Sequence, residues 1–112
     1  MRVACLVLTL AGCLVAPAAA AQPSADRQQA LVRMVRQDCG SCHGMRPTGG
    51  LGPALPPQAL ADKPLTSMAA TIVHGRPGTP MPPWRALLAE SEALWIAAQL
   101  QRGFPEEGQG VR

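Results

Sequence analysis

Hydrophobic positions fall along this chain in three patterns: one continuous run, three stretches at helical spacing, and long tracts in which prolines and glycines erase any period. The run comes first. Met1-Arg2 is followed by an almost unbroken apolar segment from Val3 to Val15, then by Pro17 and Ala18-Ala19-Ala20-Ala21. A short positive start, an apolar segment too short to span a bilayer, and small residues at A-x-A spacing predict a secretory signal peptide over 1–21, cleaved near Ala21. The mature chain would start near Gln22 and hold about 91 residues. Leu10-Ala11-Gly12-Cys13 offers an alternative, a bacterial lipobox that would lipidate Cys13 and make it the first residue. Only twelve residues precede Cys13, and apolar character continues to Val15, which favours the soluble form.

Helical spacing begins after Ser24, a predicted N-cap, and runs to about Asp38. Leu31, Met34 and Val35 form the apolar stripe, with Arg27, Arg33 and Arg36 largely off it. From Gly44 to Pro64 the density of proline and glycine predicts irregular chain that wraps a cofactor rather than building its own core. A second helix is predicted over 66–74, capped by Thr66 or Ser67, with Leu65, Met68 and Ile72 inward and Gly75 after its end. Residues 77–83 are again irregular. The last helix is predicted over 90–102, with Leu94, Trp95, Ala98 and one of Leu87 or Leu88 inward, and with Gly103 and Pro105 as terminators. No segment reads as a strand. The fold class is all-α, a 22–105 domain of three to four helices with long Pro/Gly-rich loops, and 106–112 is predicted to be a disordered tail.

The chemistry lies in Cys39-Gly40-Ser41-Cys42-His43. Thiols at i and i+3 can each add to one vinyl group of a porphyrin, and the adjacent imidazole then ligates the iron, which is the spacing of c-type haem attachment. A thioredoxin-like dithiol would need a βαβ context, and a zinc site would need a second ligand pair. Neither is present, since Cys5 and Cys13 lie in the export segment and no cysteine follows Cys42. One covalently bound haem c per chain is expected, with Cys39 and Cys42 as thioether anchors and His43 as the proximal iron ligand. With no disulfide framework, a domain this small would take much of its stability from that buried haem.

Candidates for the sixth iron position are Met34, Met45, Met68, Met81 and His74. Met34 and Met68 fall on apolar helical faces, and Met45 is too near His43 in sequence to reach the opposite haem face. His74 is a rival, but it sits at a helix C-terminus, where a histidine is more often a cap. Met81 lies 38 residues after His43, between Pro80 and Pro82-Pro83, which stiffen its loop. Met81 is assigned as the distal ligand, and a positive midpoint potential is expected of a thioether ligand. Two filled axial positions leave no room for substrate, which argues for electron transfer and against oxygenase, peroxidase or gas-sensor chemistry.

Charge changes this picture little. The formal net charge of +3 falls to +2 when Arg2 is removed, and no basic cluster suggests nucleic acid.

Read together, Cys39-x-x-Cys42-His43, Gly52-Pro53-Ala54-Leu55, Met81-Pro82 and the Trp95-bearing last helix resemble the class I c-type cytochromes. The resemblance implies that the Pro53 carbonyl orients His43, that Leu55 packs on the haem, and that the first and last helices cross near Trp95. Arg76 could pair with a propionate and Trp84 could cover the haem edge; a solvated arginine and a packed tryptophan are the alternatives. Where that family often starts its last helix with Ser or Thr, this chain has Ala89, with Glu92 three residues on, so the helix start should fray. The segments 38–45, 48–55, 74–84 and 94–96 further resemble the NirC-type small periplasmic cytochromes, encoded with cytochrome cd1 nitrite reductase. That resemblance implies a monomeric periplasmic electron carrier of denitrification, without a membrane span. Its partner would be cytochrome cd1 nitrite reductase, with a role in haem d1 maturation or a general donor role to a terminal oxidase as alternatives.

Overall fold

Ser24 opens the first helix in the computed structural model, which describes residues 22–44 and 49–108. Its Oγ accepts from the Arg27 N–H at 3.3 Å, capping α1, Ala25–Met34. The expected signal peptide with Cys13, as well as Met45 and residues 109–112 of the expected tail, lies outside the described residues. The helix does not stop at Met34. It continues as a π-helical turn, Val35–Cys39, in which the Gly40 N–H reaches back to the Val35 carbonyl, and then as α2, Gly40–His43. The attachment residues thus end a continuous helical segment.

After the irregular stretch from Gly49, Pro57 at the start of α3, Pro57–Leu60, allows one short helical turn where none was expected. It buries Leu60 against the last helix. The next helix, α4, is Leu65–His74; Pro64 precedes it, and neither Thr66 nor Ser67 acts as its cap. Leu65 consequently sits in the first turn and is 36% exposed, not inward as its spacing suggested. The last helix, α5, is Glu90–Arg102, as its hydrophobic pattern predicts. The chain is all-helical, with no strand among the described residues.

α4 packs along α5, and the core gathers Leu31, Val32 and Val35 from the first helix, Leu60, Leu88, and Trp95, Ile96 and Leu100 from α5. The buried face of α5 is Ala93, Ile96, Ala97 and Leu100, at i, i+3, i+4 and i+7, with Trp95 beside it. Leu94 and Ala98 are half-buried, and Leu88 is buried while Leu87 is 60% exposed. Trp95 Nε1 is a buried donor with no partner among the described residues.

Two arginines tie the first helix to the C-terminal part of the chain, Arg27 to α5 and Arg36 to the segment after it, and both correct the reading that placed them off the packed face. Arg27 donates through Nε and Nη2 to the Glu92 carboxylate and through Nη2 to the Leu87 carbonyl. The Glu92 carboxylate also accepts from the Ala89 N–H at 3.0 Å. Half of a capping box therefore forms although Ala89 has no hydroxyl, and this holds the start expected to fray. Arg36 is only 8% exposed. Its guanidinium donates to the carbonyls of Phe104 and Pro105 at 2.8–2.9 Å, pairs with Glu106 at 3.3 Å and lies 6.0 Å from the Phe104 ring centre. The packed stripe is wider than Leu31, Met34 and Val35 because it includes Val32, which brings Arg36 to its edge. Glu106, at the start of the expected tail, is held by that pair.

Candidate haem-binding site

The first helix delivers Cys39, Gly40 and His43 to one wall of a cleft. Val35, Arg36, Gly44, Leu55, Leu100 and Phe104 line the rest, so the cleft is mainly apolar. Cys39 and Cys42 are both free thiols and half-buried. Burial, helped by the charge of Asp38, pushes the Cys39 thiol up to about 11. A thiol held neutral is a poor nucleophile for dithiol exchange, which proceeds through the thiolate, and a protein-only metal site would need further ligands beside it. Among the described residues no three His, Cys, Asp or Glu side chains converge as such a metal site.

The Pro/Gly-rich segment folds back onto the attachment residues. Gly49 N–H donates to the His43 carbonyl at 2.9 Å, and Gly52 N–H to the Cys42 carbonyl at 2.9 Å. Gly52 lies flat on the imidazole: a Cβ there would stand 2.8 Å from His43 Nδ1 and Cε1. Next in the chain, the Pro53 carbonyl oxygen lies 2.8 Å from His43 Nδ1. With Nδ1–H as donor, the ring orientation is set and Nε2 is left as the ligand nitrogen.

The Met81 loop is built separately. Backbone N–H groups of Trp84 and Arg85 donate to the Ile72 and Val73 carbonyls, which closes the loop on the C-terminal end of α4. Gly75 has φ +67°, and a Cβ there would fall 2.7 Å from the Met81 carbonyl oxygen and from backbone atoms of Pro82 and Pro83. Met81 is half-buried, Arg76 is exposed, and Trp84 packs against the core. Met34 and Met68 pack against the core cluster, and Gln101 Nε2 lies 3.8 Å from Met68 Sδ. His74 is exposed at the end of α4.

Cys39, His43 and Leu55 thus meet at the cleft, and Pro53 meets His43, whereas Cys42, Arg76, Met81 and Trp84 are not among the cleft-lining residues. Arg36, Leu100 and Phe104 were missed as cleft residues. The signal for Arg36 was Val32, whose inclusion widens the helical stripe; Phe104 follows a helix terminator and carries no local signal. The donor set fits a haem c: two thiols at attachment spacing, an oriented imidazole following them, and an apolar wall beside them.

Comparison with known proteins agrees. Residues 25–100 match the family model for cytochrome C oxidase, cbb3-type, subunit III. Cytochrome c55X of Stutzerimonas stutzeri is 54% identical over 102 residues, covering 90% of each chain. The solved structure of a c-type cytochrome NirC is 56% identical with a TM-score of 0.70, covering 72% of this chain and 95% of that one. A solved dihydro-heme d1 dehydrogenase NirN in complex with DHE is 35% identical with a TM-score of 0.58, covering 69% of this chain but only 17% of that one. Sequence, fold and site together place the chain in the class I c-type cytochromes, the haem c electron-transfer family to which cytochrome c55X and NirC are similar members.

Proposed function

We propose that this chain is a monohaem periplasmic carrier that passes single electrons to cytochrome cd1 nitrite reductase. The observation that carries the redox reading is the 2.8 Å contact of His43 Nδ1 with the Pro53 carbonyl, which pre-orients a ligand imidazole beside two thiols at attachment spacing. Cys39 and Cys42 would anchor a haem c as thioethers, and His43 and Met81 would take its two axial positions. Leu55, Arg76 and Trp84 would form part of the surround. When bound, the haem supplies a one-electron Fe(III)/Fe(II) couple.

The chain's own residues keep the donors in place. Gly52 and Pro53 restrict His43 from both ring and carbonyl sides. Prolines 77, 80, 82 and 83 leave the Met81 loop few accessible conformations, so its thioether is presented at little entropic cost. With both axial positions taken there would be no place for dioxygen or nitrite, and the reaction would reduce to transfer of one electron at a surface. Leu51, 88% exposed on the loop that covers Cys42 and His43, and the exposed Pro80, Pro82 and Pro83 are uncharged surface at which a partner would dock with weak electrostatic steering. Export by the 1–21 segment accounts for a periplasmic location, and no helix among the described residues is long and apolar enough to cross a membrane.

Stopped-flow mixing of reduced protein with oxidised cytochrome cd1 nitrite reductase tests the reading. Fast oxidation with shallow dependence on salt is expected; no oxidation on the time scale of turnover would exclude the donor role. A second reading, service in haem d1 maturation, is favoured by the likeness to one sixth of a dihydro-heme d1 dehydrogenase. Removal of two hydrogens from a dihydro-haem releases two protons and two electrons, which two copies of a one-electron carrier would accept in turn. Reduction of oxidised protein by NirN and its substrate, without oxidation by the nitrite reductase, would select this reading.

A further inference from the structure

We propose that Thr79 is the positioning residue for Met81, its hydroxyl locking the 76–81 loop in the shape that presents the thioether. The proposal rests on the assignment of Met81 as distal ligand. Thr79 Oγ1 donates to the Arg76 carbonyl at 2.7 Å and accepts from the Met81 N–H at 3.4 Å. The same carbonyl receives the Thr79 N–H at 3.1 Å, and the Arg76 N–H donates to the Met81 carbonyl at 3.1 Å. Every one of these bonds joins Arg76, Thr79 and Met81, so the loop closes on itself between its first residue and the ligand.

The hydroxyl matters because the loop is poor in donors. Four of the seven residues from Pro77 to Pro83 are prolines, so only Gly78, Thr79 and Met81 retain a backbone N–H. Thr79 supplies the acceptor for the Met81 N–H and is itself the link that spans Gly78, which has φ +78° and is the loop's most permissive position. Thr79 is exposed and lies outside the hydrophobic core, so its removal leaves packing intact. Its effect is therefore confined to the loop, and a structural role in the core would not reproduce it.

The test uses the full holoprotein and the sulfur-to-iron charge-transfer band in the near infrared, titrated toward alkaline pH until the thioether is displaced. Thr79→Val keeps the β-branched shape and removes the hydroxyl. Loss of this bond pair should shift the bound-to-released Met81 equilibrium roughly fivefold, which lowers the midpoint of band loss by about 0.7 pH unit. Thr79→Ser should restore the parent midpoint. A midpoint for Thr79→Val within about 0.2 unit of the parent, or a Ser variant no different from Val, overturns the proposal. Met81→Ala separates the two levels: it must abolish the band, and its persistence would remove the Met81 assignment and this proposal with it.

Discussion

A methyl group at position 52 would stand 2.8 Å from the His43 ring, closer than real Cβ contacts come. The backbone there is fixed by the Gly52 N–H bond to the Cys42 carbonyl, so the imidazole must give way and with it the Nδ1 contact to Pro53. Gly52→Ala should therefore cost about 1–3 kcal/mol of holoprotein stability, the range for overpacking a close contact. It should also shift electron density at the iron, read as a changed midpoint potential. Parent-like values of both the unfolding midpoint and the potential would show that the ring has room. Cys39, Cys42 and His43 were legible because thiols and imidazole carry their chemistry in their residue type and spacing. The meaning of Gly52, Gly75 and Thr79 lies in what the folded chain brings against them, and their neighbours in sequence do not disclose it.

At the scale of elements, the helices containing strong apolar periods were legible in type and nearly in extent, α5 to the residue. The π-helical turn at Val35–Cys39 was not, because its extra residue per turn leaves no mark in a short hydrophobic pattern. Neither was the pairing of α1 with α5 through Arg27 and Glu92, since nothing local links positions 65 apart. This pair carries a pH dependence. The hydrogen bond from Arg27 holds the Glu92 carboxyl below its ordinary value, so its stabilisation is complete above the unfolded carboxylate range and fades as pH falls through the lower folded value. Because both side chains are partly exposed, the contribution is under about 1 kcal/mol. Glu92→Gln should lower the urea midpoint slightly at pH 7, and the gap from the parent should narrow below about pH 4. A gap that widens on acidification would reverse the assigned sign.

For the whole molecule, the hydrophobic core is too slight to be the full account of folding. Among the described residues, Leu31 and Ile96 are the largest side chains fully withdrawn from water, and no disulfide joins any pair of them. Half-buried Leu55 and Phe104 join the core residues Val35 and Leu100 in lining the cleft beside Cys39 and His43. In a domain of this size that surface needs a partner, and a covalently held haem would provide it without the entropic cost of binding a free ligand. The Cys39→Ala/Cys42→Ala double variant, made without haem, should therefore lose the cooperative urea transition while retaining only part of its helical circular dichroism. The arginine contacts sharpen this expectation: Arg36 is a nearly buried cation that holds the Phe104 and Pro105 carbonyls and the Glu106 carboxylate in the segment after α5, so loosening of the cleft would expose cation and segment together. Near-ultraviolet dichroism of Trp84 and Trp95 supplies the second readout, since tight aromatic packing vanishes in a collapsed but unspecific state. A sigmoidal unfolding curve with parent-like near-ultraviolet signal in the thiol-free variant would mean that the protein core folds the chain alone and that the cleft is a site filled afterwards.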